Sequence, residues 1–463
     1  MRLTFKKLRR WILIAAPCFI LLLWICRTSR TLYFWTPNNQ TFSPPKNCLK
    51  KHAVPQTQPA TLVAVNGTKT LLVSAYLEHR TSVKEVRIIA IKPRKEKASY
   101  LCHLRCQEKL NVTRAKCKIH PDHFRFHYGT ADIMCPLPSG CPTPSHVAVT
   151  HVDDKSEETL DQDFLEVKNQ KSEFDSFPYN FTVCFSTMFD YTNVLQPVLF
   201  QLVQSLEMLQ LLGVNRVVIY KTSCSLETQN VLDHYTHEGL VEVIPWSLSK
   251  YLNVSRGWLP KHGPGELHYF GQIPALNDCL YRYMYRTKYL ALHDVDELIL
   301  PQSVHSWLEL LPLLEKKFGA NKRFRFRSHV FPNDVLLPPP IFPGVPPQDG
   351  WGDVSGVDIL SHLYREPLPG TGWVDFKVIV EPRAVFWLSV HGALKSLNAF
   401  VWVGTDVARM YHTRAKTRPE LTLKELIYDG RLLNYSERLV PAVNAALRDS
   451  GVLPEDRCSV PHG

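Results

Sequence analysis

"KYLALHDVDELILP", residues 288–301, runs from strand-forming apolar residues straight into three carboxylates and back to apolar residues. Asp294, Asp296 and Glu297 repel one another, so a cluster of them at the end of a buried strand requires hydrogen bonds, protons or a cation to offset the charge. The flanking blocks show what kind of strand leads into it. Upstream, "TVCFST" (182–187), "NRVVIY" (215–220) and "LVEVIPW" (240–246) read as short buried strands. Between them, "VLQPVLFQLVQSLEMLQLLG" reads as a helix stopped by Gly213 and "LETQNVLDHYTHEG" as one stopped by Gly239. A further helix starts near Pro274 in "IPALNDCLYRYMYRT". Alternating strands and helices predict an α/β domain with a Rossmann-like, mostly parallel sheet. The carboxylates then sit at the carboxyl end of a strand, where such sheets bind ligands.

An Asp-x-Asp turn at that position suits a divalent ion shared with a diphosphate, because hard cations take oxygen ligands and commonly share them with substrate phosphates. Such an ion offsets the charge that leaves with a nucleotide diphosphate. An EF-hand loop would need further oxygen ligands and a Gly at its sixth position, whereas "DVDELILP" returns at once to apolar residues.

The N-terminus bears on the compartment. "MRLTFKKLRR" is basic without an acid, and Trp11–Cys26 is a run of sixteen uncharged residues, slightly short of the roughly 20 of a spanning helix. With Arg10 and Arg27 at its ends and no good small-x-small cleavage site after it, the run reads as a signal anchor rather than a cleaved signal peptide. Positive charge concentrated before it predicts a cytosolic N-terminus and a luminal remainder. Six sequons, at Asn39, Asn66, Asn111, Asn180, Asn253 and Asn434, all lie beyond this run. The net charge of +11 includes seven Lys/Arg and no acid in residues 1–30, leaving +4 on the rest, too little to argue for nucleic acid.

The expected organisation is a cytosolic tail (1–10), an anchor (11–26) and a Pro/Thr/Gln-rich stem (27–67). A β-rich, Cys-containing region with an acidic linker (68–176), the α/β domain (177–440) and a C-terminal tail (441–463) follow. Cys102, Cys106, Cys117, Cys135 and Cys141 have spacings that match no standard zinc pattern, so disulfides of undetermined pairing are expected there.

Several ordered blocks, "CFSTMFDYTNVLQ", "LLGVNRVVIY", "VLDHYTHEGLVEVIPW", "GQIPALNDCLYRYMYRTKYLALHDVDELILP", "KVIVEPRAVFWLSVHG" and "RMYHTR", resemble glycosyltransferase family 92 over roughly residues 180–415. The resemblance implies a GT-A type fold, a UDP-sugar donor, Mn²⁺ dependence and inversion at the anomeric carbon. It also implies transfer of galactose in β linkage, β-1,4 being one candidate, onto galactose- or fucose-terminated glycans of glycoproteins; joined to the anchor read from the N-terminus, the expectation is a type II Golgi membrane protein.

Carried onto this sequence, the resemblance makes Asp294 and Asp296 the metal and diphosphate acids, with His391 and His412 as candidate further metal ligands. Glu297 is either a catalytic partner of that turn or a buried structural acid. Ser186, Thr187, Asp190 and Tyr220 would face the nucleotide. Gln272, Asn277 and Asp278 would reach the donor sugar or brace the acidic turn, and Arg414 would contact the diphosphate. An inverting transfer needs a carboxylate to take the acceptor proton. Asp375 ranks first for this, ahead of Asp353, Asp358 and Glu366. Trp351 and Trp373 either stack on acceptor sugars or pack irregularly. A homodimer is a candidate assembly. The rival readings are an inactive, lectin-like luminal protein of the same fold and a metal-dependent luminal hydrolase.

Overall fold

The computed structural model of the chain describes residues 62–107, 109–152, 162–173, 175–189, 199–320, 322–337, 351–354, 356–370 and 374–453. The anchor, the cytosolic tail and nearly all of the stem lie outside these residues. Among the described residues no helix is long and apolar enough to cross a membrane.

Nine described strands, β1–β9, between Val63 and Lys168 make one sheet, in which β2 (Leu71–Glu78) and β3 (Glu85–Pro93) pair antiparallel. Their runs of apolar residues are buried on both faces. One face closes over disulfides Cys102–Cys135 and Cys106–Cys141, leaving Cys117 as an exposed free thiol. The sheet departs from the expected organisation at both ends. It begins at Val63, inside the expected stem, and takes Leu165–Lys168 from the expected acidic linker as β9, paired with β2 and β8 (His146–His151).

The second sheet starts as the sequence predicts. β10 (Tyr179–Phe185), β11 (Arg216–Lys221), β12 (Val241–Pro245) and β13 (Thr287–His293) run parallel in the order β12-β11-β10-β13. The helices α1 (Leu199–Leu211), α2 (Leu226–His237) and α3 (Gln272–Tyr283) make the crossovers. Ser225 caps α2 by accepting from the Thr228 amide, and Gly213 and Gly239 follow α1 and α2 at φ +96° and +81°, a backbone region in which glycine is unstrained.

Beyond β13 the expectation of a mostly parallel sheet fails. The chain turns back within residues 294–296 into β14 (Glu297–Pro301), with no crossover helix. α4 (Trp307–Phe318) follows, then β15 (Arg323–Pro332), β16 (Tyr364–Arg365), β17 (Phe376–Val380), the hairpin β18 (Val385–Ser389) and β19 (Gly392–Ser396), β20 (Phe400–Trp402) and β21 (Ala408–Arg414). β17 inserts antiparallel beside β13, and β15, β21 and β14 continue the sheet, with β20 alongside β15. The result is mixed α/β, because these late strands arrive through loops rather than βαβ units.

Helices α1, α2, α4 and α5 (Ser436–Asp449) share one hydrophobic core with the second sheet. The expected tail from residue 441 therefore begins inside a packed helix, with Val443, Ala446 and Leu447 in that core. α3 is buried at every position but Arg282, as a helix held between two layers must be. It packs with Val218 and Leu290 of the second sheet and with Tyr76, Ile89 and Ile91 of the N-terminal sheet in one cluster. A disulfide, Cys184–Cys279, fastens it to β10.

The polar residues of α3 serve this junction. Asp278 accepts hydrogen bonds from Ser74 (2.5 Å) and Tyr76 (2.6 Å) of β2, from Tyr220 (2.5 Å) of β11, and from Arg282 at 3.0 Å. Asn277 donates to the Ile273 and Leu388 carbonyls and accepts from the Leu388 amide. The donor-contacting role expected of Asn277, Asp278 and Tyr220 is thereby corrected. Their polar groups are consumed in joining α3, β11, β18 and the N-terminal sheet.

Burial acts to raise the Asp278 carboxyl, but Arg282, Lys168 and the hydroxyl donors outweigh it and hold it at about 2. A depressed carboxylate stabilises the fold above its unfolded value of about 3.9, and that contribution disappears as pH falls through about 2. For this shift the contribution is about 2.5 kcal/mol. We expect Asp278→Asn to lower the urea midpoint at pH 7 and to flatten its fall between pH 4 and pH 2 relative to wild type. Parallel pH profiles of the two proteins would show that Asp278 does not carry this linkage.

Candidate active site

The acidic turn is assembled by three neighbouring strands. β10 and β13 are in register at Phe185 and His293, so Ser186 and Thr187 emerge beside Asp294, and the Ser186 amide donates to the His293 carbonyl at 3.2 Å. Within the turn, the Asp294 amide donates to Glu297 Oε2 at 2.9 Å and the Glu297 amide to the Asp294 carbonyl at 3.1 Å. β14 pairs antiparallel with β21, which sets His412 opposite Glu297, and the Thr413 amide donates to the Asp296 carbonyl at 2.9 Å.

The charge of the three acids is offset by the chain itself. Lys377, on β17 and only 4% exposed, places its ammonium 2.7 Å from Asp294 Oδ2 and 3.0 Å from Glu297 Oε2. His412 Nε2 lies 3.2 Å from Asp296 Oδ2, and its Nδ1 lies 3.7 Å from Glu297 Oε1. Burial favours the neutral forms, yet Lys377 and the Ser186 hydroxyl hold the Asp294 carboxyl down at about 2. Burial pushes the Glu297 carboxyl up, because that side chain is 3% exposed and shares its cation with a second acid. The Lys377 ammonium is held charged against its own burial by Asp294 and Glu297. His412 is likewise shifted up by Asp296, against burial. Asp294 and Asp296 remain 30% and 35% exposed, so each keeps carboxylate surface for a ligand while Glu297 keeps almost none.

Beside this turn, at the carboxyl ends of β10, β11 and β12, lies a cavity of about 700 Å³ whose lining includes Phe189, Thr222, Trp246, Tyr251, Arg256 and Phe270. Phe189 stacks on Phe270 with ring centres 3.5 Å apart and meets Tyr269 edge-on at 5.4 Å. Burial, reinforced by the charges of Asp294 and Asp296, pushes the Tyr269 hydroxyl up to about 12. Tyr269 and Phe270 hold positive φ values of 31° and 50°, unusual for bulky side chains and a mark of a backbone constrained by its surroundings.

The remaining expected residues divide. Asp375 is exposed and lies two residues before Lys377, hence on the same face of β17, and its charge acts on His391 in the β18–β19 turn. His391 stacks parallel to Trp258 at 6.0 Å, and its buried Nδ1 has no hydrogen-bond partner among the described residues. Gln272 is buried at the start of α3 with its Oε1 likewise unpartnered. Arg414 ends β21, exposed. Asp190 and Trp373 lie outside the described residues.

Asp358 and Glu366 spend their carboxylates on local structure, the first on Gln204, Leu360 and Ser361, the second on Thr417 and Arg418. Trp351 packs on Phe200 and donates to Asn444, so it is core rather than a sugar platform. Of the two histidines that are alternatives for a further ligand, His412 lies against Asp296, whereas His391 stacks on Trp258. Among the described residues no three His, Cys, Asp or Glu side chains are grouped to hold an ion, and His412 bonds Asp296 instead. Sequence reasoning missed Lys377, although one lysine within the apolar run "FKVIV" signals a buried cation that needs an acid.

A family model described as glycosyltransferase family 92 matches residues 179–432, more than half of the chain. A Caenorhabditis elegans protein described as glycosyltransferase family 92 protein C33H5.2 is 29% identical over 79 residues, covering 17% of this chain and 15% of that protein. A solved cyclomaltodextrinase aligns over 40% of each chain at 11% identity with a TM-score of 0.15, too low to relate the folds.

Removing the buried ammonium leaves Asp294 and Glu297 facing each other uncompensated. We expect Lys377→Met to destabilise the protein by about 3–5 kcal/mol in urea unfolding at pH 7, and Lys377→Arg to recover part of that. A Lys377→Met protein as stable as wild type at neutral pH would show that the acids need no internal cation.

Proposed function

Because this chain belongs to glycosyltransferase family 92, we propose that it is an inverting transferase of GT-A type that moves galactose from UDP-galactose in β linkage, β-1,4 among the candidates, onto a galactose- or fucose-terminated glycan of a glycoprotein. The observation that carries the proposal is the acidic turn at the end of β13, with two partly exposed aspartates beside a cavity of about 700 Å³ at the neighbouring strand ends. The cavity has room for a nucleoside, and its aromatic lining suits a base. The proposed setting is the lumen of the Golgi, with the chain anchored by residues 11–26.

In this reading Asp294 and Asp296 face the donor diphosphate. Their exposed oxygens suit Mn²⁺ held by two carboxylates and completed by phosphate oxygens, which does not require a third protein ligand. The ion, when bound, offsets charge developing on the departing diphosphate. Lys377 keeps Asp294 ionised, the Ser186 hydroxyl assists it, and His412 orients Asp296. Arg414 is available to a phosphate oxygen. Asp375 accepts the proton of the acceptor hydroxyl as that oxygen attacks the anomeric carbon and the bond to UDP breaks.

The test is transfer by the detergent-solubilised full chain, offered UDP-galactose and other UDP-sugars with Mn²⁺ and a panel of galactose- and fucose-terminated glycans. Transfer from UDP-galactose is expected, falling by about 100-fold or more in Asp296→Ala. Asp375→Asn should lower kcat by about 100-fold or more with little change in UDP affinity. Absence of transfer to any acceptor, together with no UDP binding by calorimetry, would favour the lectin-like reading.

A further inference from the structure

On the face of β15 and β17 opposite Lys377, three arginines alternate along one strand. Arg323, Arg325 and Arg327 share that face with Phe376 of β17, which is in register with Arg327, and with Phe400 and Trp402 of β20, in register with Arg323 and Arg325. The Arg325 guanidinium lies 3.7 Å from the ring centre of Phe400, 4.6 Å from Phe376 and 5.6 Å from Trp402, and Arg327 lies 5.1 Å from Trp402. Arg323 spends two of its donors on the Asn398 and Ala393 carbonyls. Among the described residues no hydrogen bond or ion pair reaches the guanidinium of Arg325 or Arg327. Burial lowers Arg325 and no acid opposes it.

A guanidinium stacked on an aromatic face is held in place by that face while its N–H donors point outward in its plane. Two such groups on one strand, neither guanidinium bonded to a carboxylate among the described residues, form a pre-ordered fork for an oxyanion. Phe400, 45% exposed, and the half-buried Trp402 stay open, while Phe376 is buried beneath them. The combination suits a ligand that carries both a negative oxygen group and an apolar ring face. Asp375 faces the other side of β17, with Lys377, and the link around the start of the strand is the Phe376 ring, which lies 6.2 Å from that of His391, on which the Asp375 charge acts, and 5.1 Å from that of Trp402.

We propose that Arg325, Arg327, Phe400 and Trp402 form an extended acceptor surface that recognises an acidic oligosaccharide, one bearing a carboxylate or sulfate a few sugars from the hydroxyl presented to Asp375. The inference rests on the transferase reading for the word acceptor, but the recognition itself is independent of transfer. The aromatic contacts hold the sugar ring and the arginine edges read its charge.

The test compares two oligosaccharides on the detergent-solubilised full chain by calorimetry: a biantennary glycan with one arm ending in galactose and the other in N-acetylneuraminic acid, and its desialylated counterpart. Wild type is expected to bind the acidic form at least about tenfold more tightly, a preference that shrinks as salt is raised. Arg325→Gln/Arg327→Gln should bind both forms equally while keeping its UDP affinity and thermal midpoint. Arg325→Lys/Arg327→Lys, with charge but no fork, should restore part of the preference. Equal binding by wild type, or a preference that survives the Gln variant, would overturn the proposal. So would arginine-dependent binding to phosphatidylserine vesicles with no glycan preference, which would make the surface a membrane contact. Loss of UDP binding by wild type with the acid preference intact would instead fell the transferase reading and leave this surface standing.

Discussion

The ammonium of Lys377, between Asp294 and Glu297, is the interaction on which the site depends. Three carboxylates within four residues cannot all be ionised at the end of a buried strand unless positive charge is close by. The chain supplies that charge from β17, a strand that enters the sheet antiparallel beside β13 and thereby faces the turn. The mixed sheet and the acidic turn are thus one design. A purely parallel continuation would have needed a crossover helix after β13, with no reason for a lysine to stand at this spot. Because Lys377 and His412 take up the inner oxygens, Glu297 is closed to ligands while Asp294 and Asp296 keep their outer surfaces open.

Much of the first half of the α/β region could be read from the chain. Apolar runs bounded by Gly213 and Gly239 mark β10 through β12 and the helices between them, because local periodicity and stop signals act within a dozen residues. The later strands were not legible in this way. β17, β15 and β21 pair across separations of tens of residues, and nothing local in "FKVIV" or "RMYHTR" states a partner or a direction. Of the site, the acidic turn was legible from its charge and its place after a strand. Lys377 would have been, had the lone cation in a buried strand been followed to its consequence.

The misread residues share a physical cause. Asn277, Asp278 and Tyr220 are polar groups near a proposed ligand site, and the sequence does not distinguish a buried polar group aimed at a ligand from one aimed at another sheet. Asp278 finds its donors on β2, some 200 positions earlier in the chain. A helix that is buried on all sides must satisfy every polar side chain it carries within the protein, and α3 does so on two sheets at once.

That arrangement changes what the N-terminal sheet is. Read from composition it is a disulfide-stapled lead-in to the α/β region. In the structure, Ser74 and Tyr76 complete the hydrogen bonding of Asp278, Tyr76, Ile89 and Ile91 share a core with α3, and α3 is the helix that delivers the chain to β13. The Tyr128 amide donates to the Glu266 carbonyl, and the Phe124 ring stacks on His268 in the segment that ends at Tyr269 and Phe270. Removing the sheet would strip an all-buried helix of one of its two layers and leave a buried carboxylate short of two donors. It would also release the aromatic segment that carries Phe270 of the cavity wall. The N-terminal sheet is therefore part of what holds the site in shape, although it contributes no residue to the acidic turn itself.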